Sequence, residues 1–197
     1  MKIHSLGYIG VNCTDPARWA QFGTQVLGMM DVTATLATPG ESAVYLKMDD
    51  RPYRIVVNKA DTDSYAFSGW EIAGPDAFAE ALQTLEKHGV NFERASSDLI
   101  AARRVQDLAS FADPEGNRHE IFWGAVSDFR QFASPVGIKK FVTGDQGAGH
   151  VVLPTPNFDK SLAFYKDVMG FGLSDLMKVR FTPDPAEPEK RLFFMHC

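Results

Sequence analysis

The sequence predicts an α+β fold made of tandem βαβββ modules, with three modules present and the third incomplete. The first observation is an internal repeat, in which residues 6–11 align with residues 148–153 without a gap. The second is that the same offset of 142 residues (170 − 28) places Gly28 on Gly170. The third is the common order of elements in the two copies: a strand, a polar turn, an amphipathic helix and a glycine.

The first module has one predicted helix. Asp15-Pro16 predicts its start, because Asp accepts hydrogen bonds from free N–H groups and Pro suits the first helical position. Trp19, Phe22, Val26 and Gly23 form the stripe expected to face the core. The module also has four predicted strands, at residues 3–12, 30–36, 43–48 and 54–58.

The second module repeats this order. Gly74-Pro75-Asp76 opens its predicted helix, Phe78, Leu82 and Leu85 form the apolar stripe, and Gly89 ends the helix. The Asp-Pro and Gly-Asn pairs within residues 113–117 predict a turn between two strands. The sequence does not decide whether residues 101–105 form a helical turn or a strand or loop. The predicted strands lie at residues 65–73, 91–95, 108–112 and 118–123.

The third module follows a segment without periodicity. We expect an N-terminal domain of two modules at residues 1–125, a connector at 126–146 and the first part of a second domain at 147–197. In that second domain Asn157 is the expected N-cap of a helix that Gly170 ends. The predicted strands lie at residues 150–153, 172–178, 179–182 and 191–197.

The charge balance excludes several classes of function. The formal net charge is −5, from 20 Lys and Arg against 25 Asp and Glu. This argues against a nucleic-acid partner and, without a basic run, against an anionic membrane surface. Cys13 and Cys197 are too few for a disulfide framework, and the N-terminus has no apolar stretch of signal-peptide length. We therefore expect a soluble, cytoplasmic protein.

One position differs in its chemistry between the two copies of the repeat. Tyr8 in the first copy is replaced by His150 in the later one. A lone histidine is a weak metal signal, and a core histidine bonded to the backbone is the alternative. His150 is therefore a candidate metal ligand that only one copy carries.

Four separated motifs carry a family resemblance. In order, they are Leu6-Gly7-Tyr8, Phe111-Ala112-Asp113-Pro114, Gly147-Ala148-Gly149-His150-Val151-Val152 and Phe194-Met195-His196-Cys197. The tandem modules, and the turn that runs from Asp113 to Glu120, resemble the vicinal-oxygen-chelate superfamily of glyoxalase and bleomycin-resistance type. The four motifs together resemble the type I extradiol ring-cleaving dioxygenases, and most closely the 2,3-dihydroxybiphenyl 1,2-dioxygenase group, over the whole chain.

The resemblance implies an iron site in the second domain and none in the first. In that family Fe(II) is held by two His and one Glu, a ligand set that leaves positions open for both reactants. His150 matches the first metal ligand, and the other His and the Glu are expected beyond residue 197. His196 matches a catalytic acid/base group near the dioxygen and the substrate oxygens. We therefore expect this 197-residue chain to bind Fe(II) weakly or not at all, and to be inactive alone.

The implied reaction is Fe(II)-dependent extradiol (meta) cleavage of a substituted catechol, such as a 2,3-dihydroxybiphenyl-type substrate, with O2 in aromatic-compound degradation. The family also implies a homo-oligomer. Val152 and Phe194 are candidate substrate-binding residues, with an ordinary apolar packing role as the alternative. Each lies two residues from a candidate histidine, His150 or His196, so strand alternation would turn each pair to one face.

Two other functions stay open. A metal-free binding or resistance module would fit if the natural gene ended at Cys197. A different metalloenzyme of the superfamily would need His or Glu in place of Tyr8. Glu120 stands where such an enzyme places its metal carboxylate, but with Tyr8 opposite we interpret it as structural. His119 alternates to the other face, at the surface or between domains.

Overall fold

The structure is a computed structural model that describes residues 1–38, 40–184 and 186–197. Its elements follow the predicted order in the first two modules, apart from two added short helices. Their bounds are β1 (Ile3–Cys13), α1 (Pro16–Gln25), β2 (Met30–Asp31), α2 (Thr33–Leu36), β3 (Val44–Lys47), β4 (Ile55–Lys59), β5 (Ser64–Ile72), α3 (Pro75–Lys87), β6 (Phe92–Arg94), α4 (Ser97–Arg103), β7 (Asp107–Ala112), β8 (Arg118–Trp123), α5 (Phe158–Asp167), β9 (Gly172–Val179) and β10 (Lys190–His196).

Strands β1 to β8 form one mixed sheet in the order β2-β3-β4-β1-β5-β8-β7-β6. Each of the first two modules contributes four neighbouring strands, and β1 and β5 join the modules as an antiparallel pair. Within each module the opening strand runs parallel to the closing one, β1 to β4 and β5 to β8. The predicted α+β fold of tandem βαβββ modules is confirmed.

The sheet is packed on both faces. Ile121 and Phe122 are neighbours on β8 and therefore point to opposite sides. On the side of Ile121, helices α3 and α5 pack in one core cluster, which includes Phe78 and Phe164. The side of Phe122 is an aromatic interior that also contains Tyr8, Tyr45, Tyr53 and Phe67.

Helices α1 and α5 preserve the predicted repeat. Each is ten residues long, and both ends are displaced by the same 142 positions. The caps correspond as well: Asp15 accepts a hydrogen bond from the Arg18 N–H at 3.3 Å, and Asn157 accepts one from the Lys160 N–H at 3.2 Å. The alignment of the repeat and the predicted N-caps are therefore confirmed.

The stripe predicted on α1 is wrong at Phe22 and Val26, which are 45% and 66% exposed, and right at Gly23, which is buried. Their counterparts on α5, Phe164 and Val168, are only 8% and 5% exposed. Helix α1 meets the sheet through Gly23, where an added Cβ would lie 2.4 Å from a β3 side chain. This close approach turns the flank that carries Phe22 and Val26 away from the sheet.

The strand predicted at residues 30–36 is wrong beyond its first two residues, since α2 follows β2 after one residue. Asp31 Oδ1 accepts a hydrogen bond from the Thr33 N–H at 2.9 Å. Thr33 Oγ1 in turn accepts one from the Tyr45 N–H, also at 2.9 Å. A threonine hydroxyl thus replaces a main-chain carbonyl as the partner of β3, and the chain leaves the sheet there.

The segment 101–105, left open by the sequence, is helical in its first half. Ser96 caps α4 by accepting a hydrogen bond from the Leu99 N–H at 3.3 Å. Arg104 follows the helix in a left-handed conformation with φ of 57°. The last turn of α4 thereby carries Arg103 to the aromatic interior of the sheet.

The third module departs most from its prediction. Strand β9 runs unbroken over Gly172–Val179 and, within the described part of the chain, pairs only with β10. The separate strand predicted at residues 179–182 is therefore wrong. Residues 150–153 belong to no strand, and they pair with none of the strands that the structure describes.

The connector predicted at residues 126–146 contains a turn of 3-10 helix, Gly144–Gln146. Directly after it, the Ala148 N–H donates to the Leu6 carbonyl oxygen at 2.7 Å, which fixes the start of the third module beside β1. The domain boundaries themselves stay predictions. In the ranges described, no helix has both the length and the apolar character needed to cross a bilayer.

Candidate active site

His150 lies in an extended segment that packs against the core cluster of α3 and α5. Val151 and Leu153 turn towards that cluster. Val152 points the other way and is 79% exposed, and His150 is exposed as well. The side chains of His150 and Val152 therefore share the outer side of the segment.

The end of β10 shows the same alternation. Phe193 and Met195 pack against the core cluster, whereas Phe194 and His196 are exposed. The outer side of β10 therefore carries an aromatic ring and an imidazole, two residues apart. We call four outward-facing candidates on two separate segments the open face: His150 and Val152 on one segment, Phe194 and His196 on the other.

Two residues of β9 surround the imidazole of His196. Ser174 Oγ lies 2.7 Å from His196 Nδ1. Gly172 is paired with His196 across the hairpin, and a Cβ added to Gly172 would lie 2.5 Å from His196 Nε2. The imidazole thus occupies the space that a side chain at Gly172 would need.

The open face offers one candidate metal ligand. Among the residues that the structure describes, no three His, Cys, Asp or Glu side chains come close enough to share an ion. His150 is exposed, so the alternative of a core histidine does not fit. Imidazole is a ligand type that iron accepts, but one imidazole cannot fix a metal. The described residues therefore fit part of an iron site and not the whole of one.

In the first copy of the repeat, a buried tyrosine fills the position that corresponds to His150. Tyr8 occupies it, and the Tyr8 hydroxyl donates to Glu120 Oε2 at 2.6 Å. Arg103 Nε and Nη2 donate to the two oxygens of the same carboxylate at 2.8 and 2.9 Å. A guanidinium ion thus stands where a metal cation would neutralise Glu120. This geometry agrees with the structural role predicted for Glu120.

The ionisation of this group suits a site that holds no metal. Burial and the Glu120 carboxylate raise the pKa of Tyr8 well above its ordinary value, so its hydroxyl keeps its proton and donates. Burial opposes the charge of Arg103, but the hydrogen bonds and charge of Glu120 outweigh it and raise the pKa of the guanidinium. One cation and one anion therefore balance each other there.

His119 belongs to a buried polar network between the second and third modules. It is fully buried, so the surface alternative is wrong and the position between modules is right. Trp70 Nε1 donates to His119 Nδ1 at 3.1 Å, which leaves the ring proton on Nε2. His119 Nε2 lies 3.2 Å from the Tyr165 hydroxyl, and that hydroxyl donates to Asp113 Oδ2 at 2.8 Å. The network ties α5 to the turn between β7 and β8.

Three residues of these two sites are not predicted from the sequence: Arg103 beside Glu120, and Ser174 and Gly172 beside His196. Arg103 lies in the segment whose conformation the sequence left open. Ser174 and Gly172 lie on a predicted strand, but nothing in the sequence shows that this strand pairs with the one that carries His196. Only the register of the β9–β10 hairpin brings them to the imidazole.

Comparisons with known proteins give a consistent relationship along the chain. A family model described as "Dihydroxybiphenyl dioxygenase BphC D1" matches residues 6–59. A second, described as "Glyoxalase/Bleomycin resistance protein/Dioxygenase superfamily", matches residues 147–197. The crystal structure of a catechol 2,3-dioxygenase is similar with a TM-score of 0.88 and 32% identity, and the match covers 100% of this chain and 63% of that one.

Curated relatives point the same way. The iron-dependent extradiol dioxygenase of Rhodococcus jostii is 41% identical, over 91% of this chain and 58% of its own length. The biphenyl-2,3-diol 1,2-dioxygenase of Paraburkholderia xenovorans is 37% identical, over 100% of this chain and 64% of its own. The chain therefore spans between 58% and 64% of the length of these two relatives.

Proposed function

The chain belongs to the extradiol ring-cleaving dioxygenases of the vicinal-oxygen-chelate superfamily, and on this basis we propose that the whole protein cleaves a substituted catechol with O2. The reaction is Fe(II)-dependent extradiol (meta) cleavage in the degradation of aromatic compounds. The substrate class is a catechol with a bulky substituent, as in 2,3-dihydroxybiphenyl, because relatives named for biphenyl-2,3-diol match over the whole chain.

One observation supports the proposal above all others: two separate segments turn a histidine and an apolar residue away from the core in the same alternation. His150 is accompanied by Val152, and His196 by Phe194. A core packing role would bury these four residues, whereas a catechol site needs imidazoles beside apolar walls.

Each residue of the open face has a distinct role in this proposal. His150 supplies one ligand to Fe(II), and the remaining His and Glu come from beyond residue 197. Bound Fe(II) supplies positions for the diol and dioxygen and favours the deprotonated diol. His196 accepts a proton from a catechol hydroxyl at its free ring nitrogen. Val152 and Phe194 form apolar walls against the substituted ring.

The test is an assay of the complete reading frame that contains this chain, reconstituted with ferrous iron without oxygen and then given oxygen and catechols. We expect a yellow ring-fission product from 2,3-dihydroxybiphenyl and less from unsubstituted catechol. A protein that binds iron but produces no ring-fission product from any catechol would falsify the proposal.

Single histidine variants locate the site. His150→Ala is expected to lose bound iron and activity together, because the metal loses a ligand. His196→Ala is expected to keep iron and to retain a measurable residual kcat about 10² to 10⁴ times below wild type, because it removes a proton acceptor and no ligand. The matched control is His4→Ala, on the exposed start of β1, which is expected to keep both. Equal iron content in the His150 and His4 variants would contradict the assignment of His150.

We also propose that the protein forms a homo-oligomer. Phe22 and Val26 leave an apolar flank on α1, and apolar surface of this kind is commonly covered by another subunit. Light scattering on the purified protein measures the mass directly. Phe22→Ser is expected to lower that mass if α1 lies in the interface, and a monomeric wild-type protein would contradict the proposal.

For location we propose the cytoplasm. Cys13 is buried and Cys197 exposed, and both are free thiols in the structure, as a reducing compartment favours. Cell fractionation with an antibody against the protein tests this directly. Recovery in a membrane or secreted fraction would contradict it.

A further inference from the structure

A bulge in the β9–β10 hairpin brings Ser174 to His196. Met195 pairs with Leu173 and Phe194 pairs with Asp175, so Ser174 is the extra residue between two paired positions. A bulge of this kind re-aims a side chain out of the regular alternation. Here it places Ser174 Oγ 2.7 Å from Nδ1 of His196, which is the shortest contact of that imidazole with a polar group in the described residues.

Gly172 completes the arrangement from the other side of the ring. A Cβ at this position would lie 2.5 Å from Nε2 and 2.6 Å from Cε1 of His196, so any larger residue would displace the imidazole. The ring is therefore located by the hydroxyl of Ser174 at Nδ1 and by the absence of a side chain at Gly172.

We propose that Ser174 is a positioning residue that fixes the orientation and tautomer of His196, and that Gly172 provides the space for that orientation. The inference rests on the proposed function, in which His196 exchanges a proton with the reactants. It adds an assignment to two residues that have no role of their own in the proposed function.

The chemistry explains why a hydroxyl suits this place. The serine hydroxyl can accept a hydrogen bond from Nδ1–H of the neutral tautomer that leaves Nε2 without a proton, and it can accept from the same Nδ1–H when the ring is imidazolium. Ser174 can therefore keep its hydrogen bond while His196 gains and loses a proton at Nε2. A carboxylate in its place would favour imidazolium and so hold the proton on the ring. A hydroxyl orients the ring and leaves its charge free to change.

The experiment uses the complete reading frame and four variants: Ser174→Ala, Ser174→Thr, His196→Ala and the double variant Ser174→Ala/His196→Ala. Ser174→Ala is expected to lower kcat about tenfold with the KM for catechol changed less than about twofold, as for the loss of one hydrogen bond to the reacting group. Ser174→Thr, which keeps a hydroxyl, is expected to stay within about threefold of wild type. Ser127→Ala, an exposed serine in the connector, is the matched control.

The double variant separates positioning from a general structural effect. If Ser174 acts through His196, removing its hydroxyl has no further effect on kcat once the imidazole is absent. A wild-type rate in Ser174→Ala, or an undiminished tenfold effect in the His196→Ala background, would overturn the inference.

A second measurement keeps the inference testable apart from activity. Nitrogen-15 NMR of the His196 ring reports the tautomer, and Ser174→Ala is expected to shift the population away from the single form of the wild type. Identical ring-nitrogen shifts in the two proteins would overturn the positioning role, whatever their activity. If the wild-type protein had no dioxygenase activity but Ser174→Ala still changed the ring-nitrogen shifts of His196, the proposed function would be wrong and the positioning contact would stand.

Discussion

Arg103 and Glu120 form a two-point ion pair inside the aromatic interior of the N-terminal sheet. The guanidinium carbon of Arg103 also lies 4.1 Å from the centroid of the Phe67 ring, so the cation is held by a carboxylate and by an aromatic face. The Tyr8 hydroxyl completes the group from β1. This half of the duplicated fold therefore neutralises its buried carboxylate with a cation of its own.

Replacing Arg103 with Met is expected to lower the free energy of unfolding by about 3 to 5 kcal/mol, because it leaves the Glu120 carboxylate buried without a cation. Urea unfolding at pH 7 measures the change. Arg104→Met is the matched control, since the Arg104 side chain is exposed, and is expected to cost less than about 1 kcal/mol. Equal losses in the two variants would show that the ion pair is not a source of stability.

Asp113→Asn is expected to make stability less dependent on pH. Burial opposes the charge of Asp113, but polar contacts from His119, Asn117 and Tyr165 outweigh it and hold the pKa of this carboxyl well below its ordinary value. Because the native pKa is lower than the unfolded value of about 3.9, the stabilisation is complete above about pH 5 and is lost as the pH falls through the unfolded value towards the native one.

At pH 7 the Asp113→Asn variant is therefore expected to be about 2 to 3 kcal/mol less stable than wild type, and the difference should narrow below about pH 4. Urea unfolding at pH 7 and at about pH 3.5 gives both values. Asp61→Asn, at an exposed position, serves as the control. A difference from wild type that stayed constant with pH would contradict the assigned charge state.

The Tyr165 hydroxyl is expected to stabilise the contact between α5 and the β7–β8 turn. Tyr165→Phe removes a 2.8 Å hydrogen bond to Asp113 and should cost about 1 to 3 kcal/mol, measured by urea unfolding. Tyr53→Phe is a matched control, because the buried Tyr53 hydroxyl has no hydrogen-bond partner among the residues described. The Tyr53→Phe control is expected to leave the free energy of unfolding unchanged or slightly higher. A larger loss in Tyr53→Phe than in Tyr165→Phe would show that the network does not stabilise the fold.

The same substitution at corresponding positions of α1 and α5 should lower the free energy of unfolding by different amounts. Phe164→Ala is expected to cost about 3 to 5 kcal/mol, since the ring is buried in the core cluster. Phe22→Ala is expected to cost less than about 1 kcal/mol in the monomer, because that ring is nearly half exposed. Thermal unfolding of both variants makes the comparison, and similar losses would mean that α1 is more deeply packed than the structure shows.

The parts of the fold that the sequence predicts well are those with local causes. The β7–β8 hairpin follows from its turn, in which the carboxylate of Asp113 accepts hydrogen bonds from the Glu115 and Asn117 N–H groups. The two helices of the repeat follow from their caps at Asp15 and Asn157. Each of these causes lies within a few residues of its effect.

The parts that the sequence does not predict depend on distant partners. Thr33 leaves the sheet because its hydroxyl meets the Tyr45 N–H, twelve residues away. Residues 150–153 pair with no strand in the described ranges, so the alternation seen in the sequence did not by itself make them part of a sheet. For the candidate site, the alternation of His150 and His196 could be read from the sequence. The contact of Ser174 with His196 could not, because it depends on the position of a bulge.

Helix α5 packs in a core cluster to which the first two modules contribute Trp70, Phe111 and Ile121. A ribosome completes those modules before α5 emerges from its exit tunnel. The nascent third module therefore meets a finished platform on which its helix can dock, instead of having to assemble its own. The first two modules can in this way serve the third as a template during synthesis.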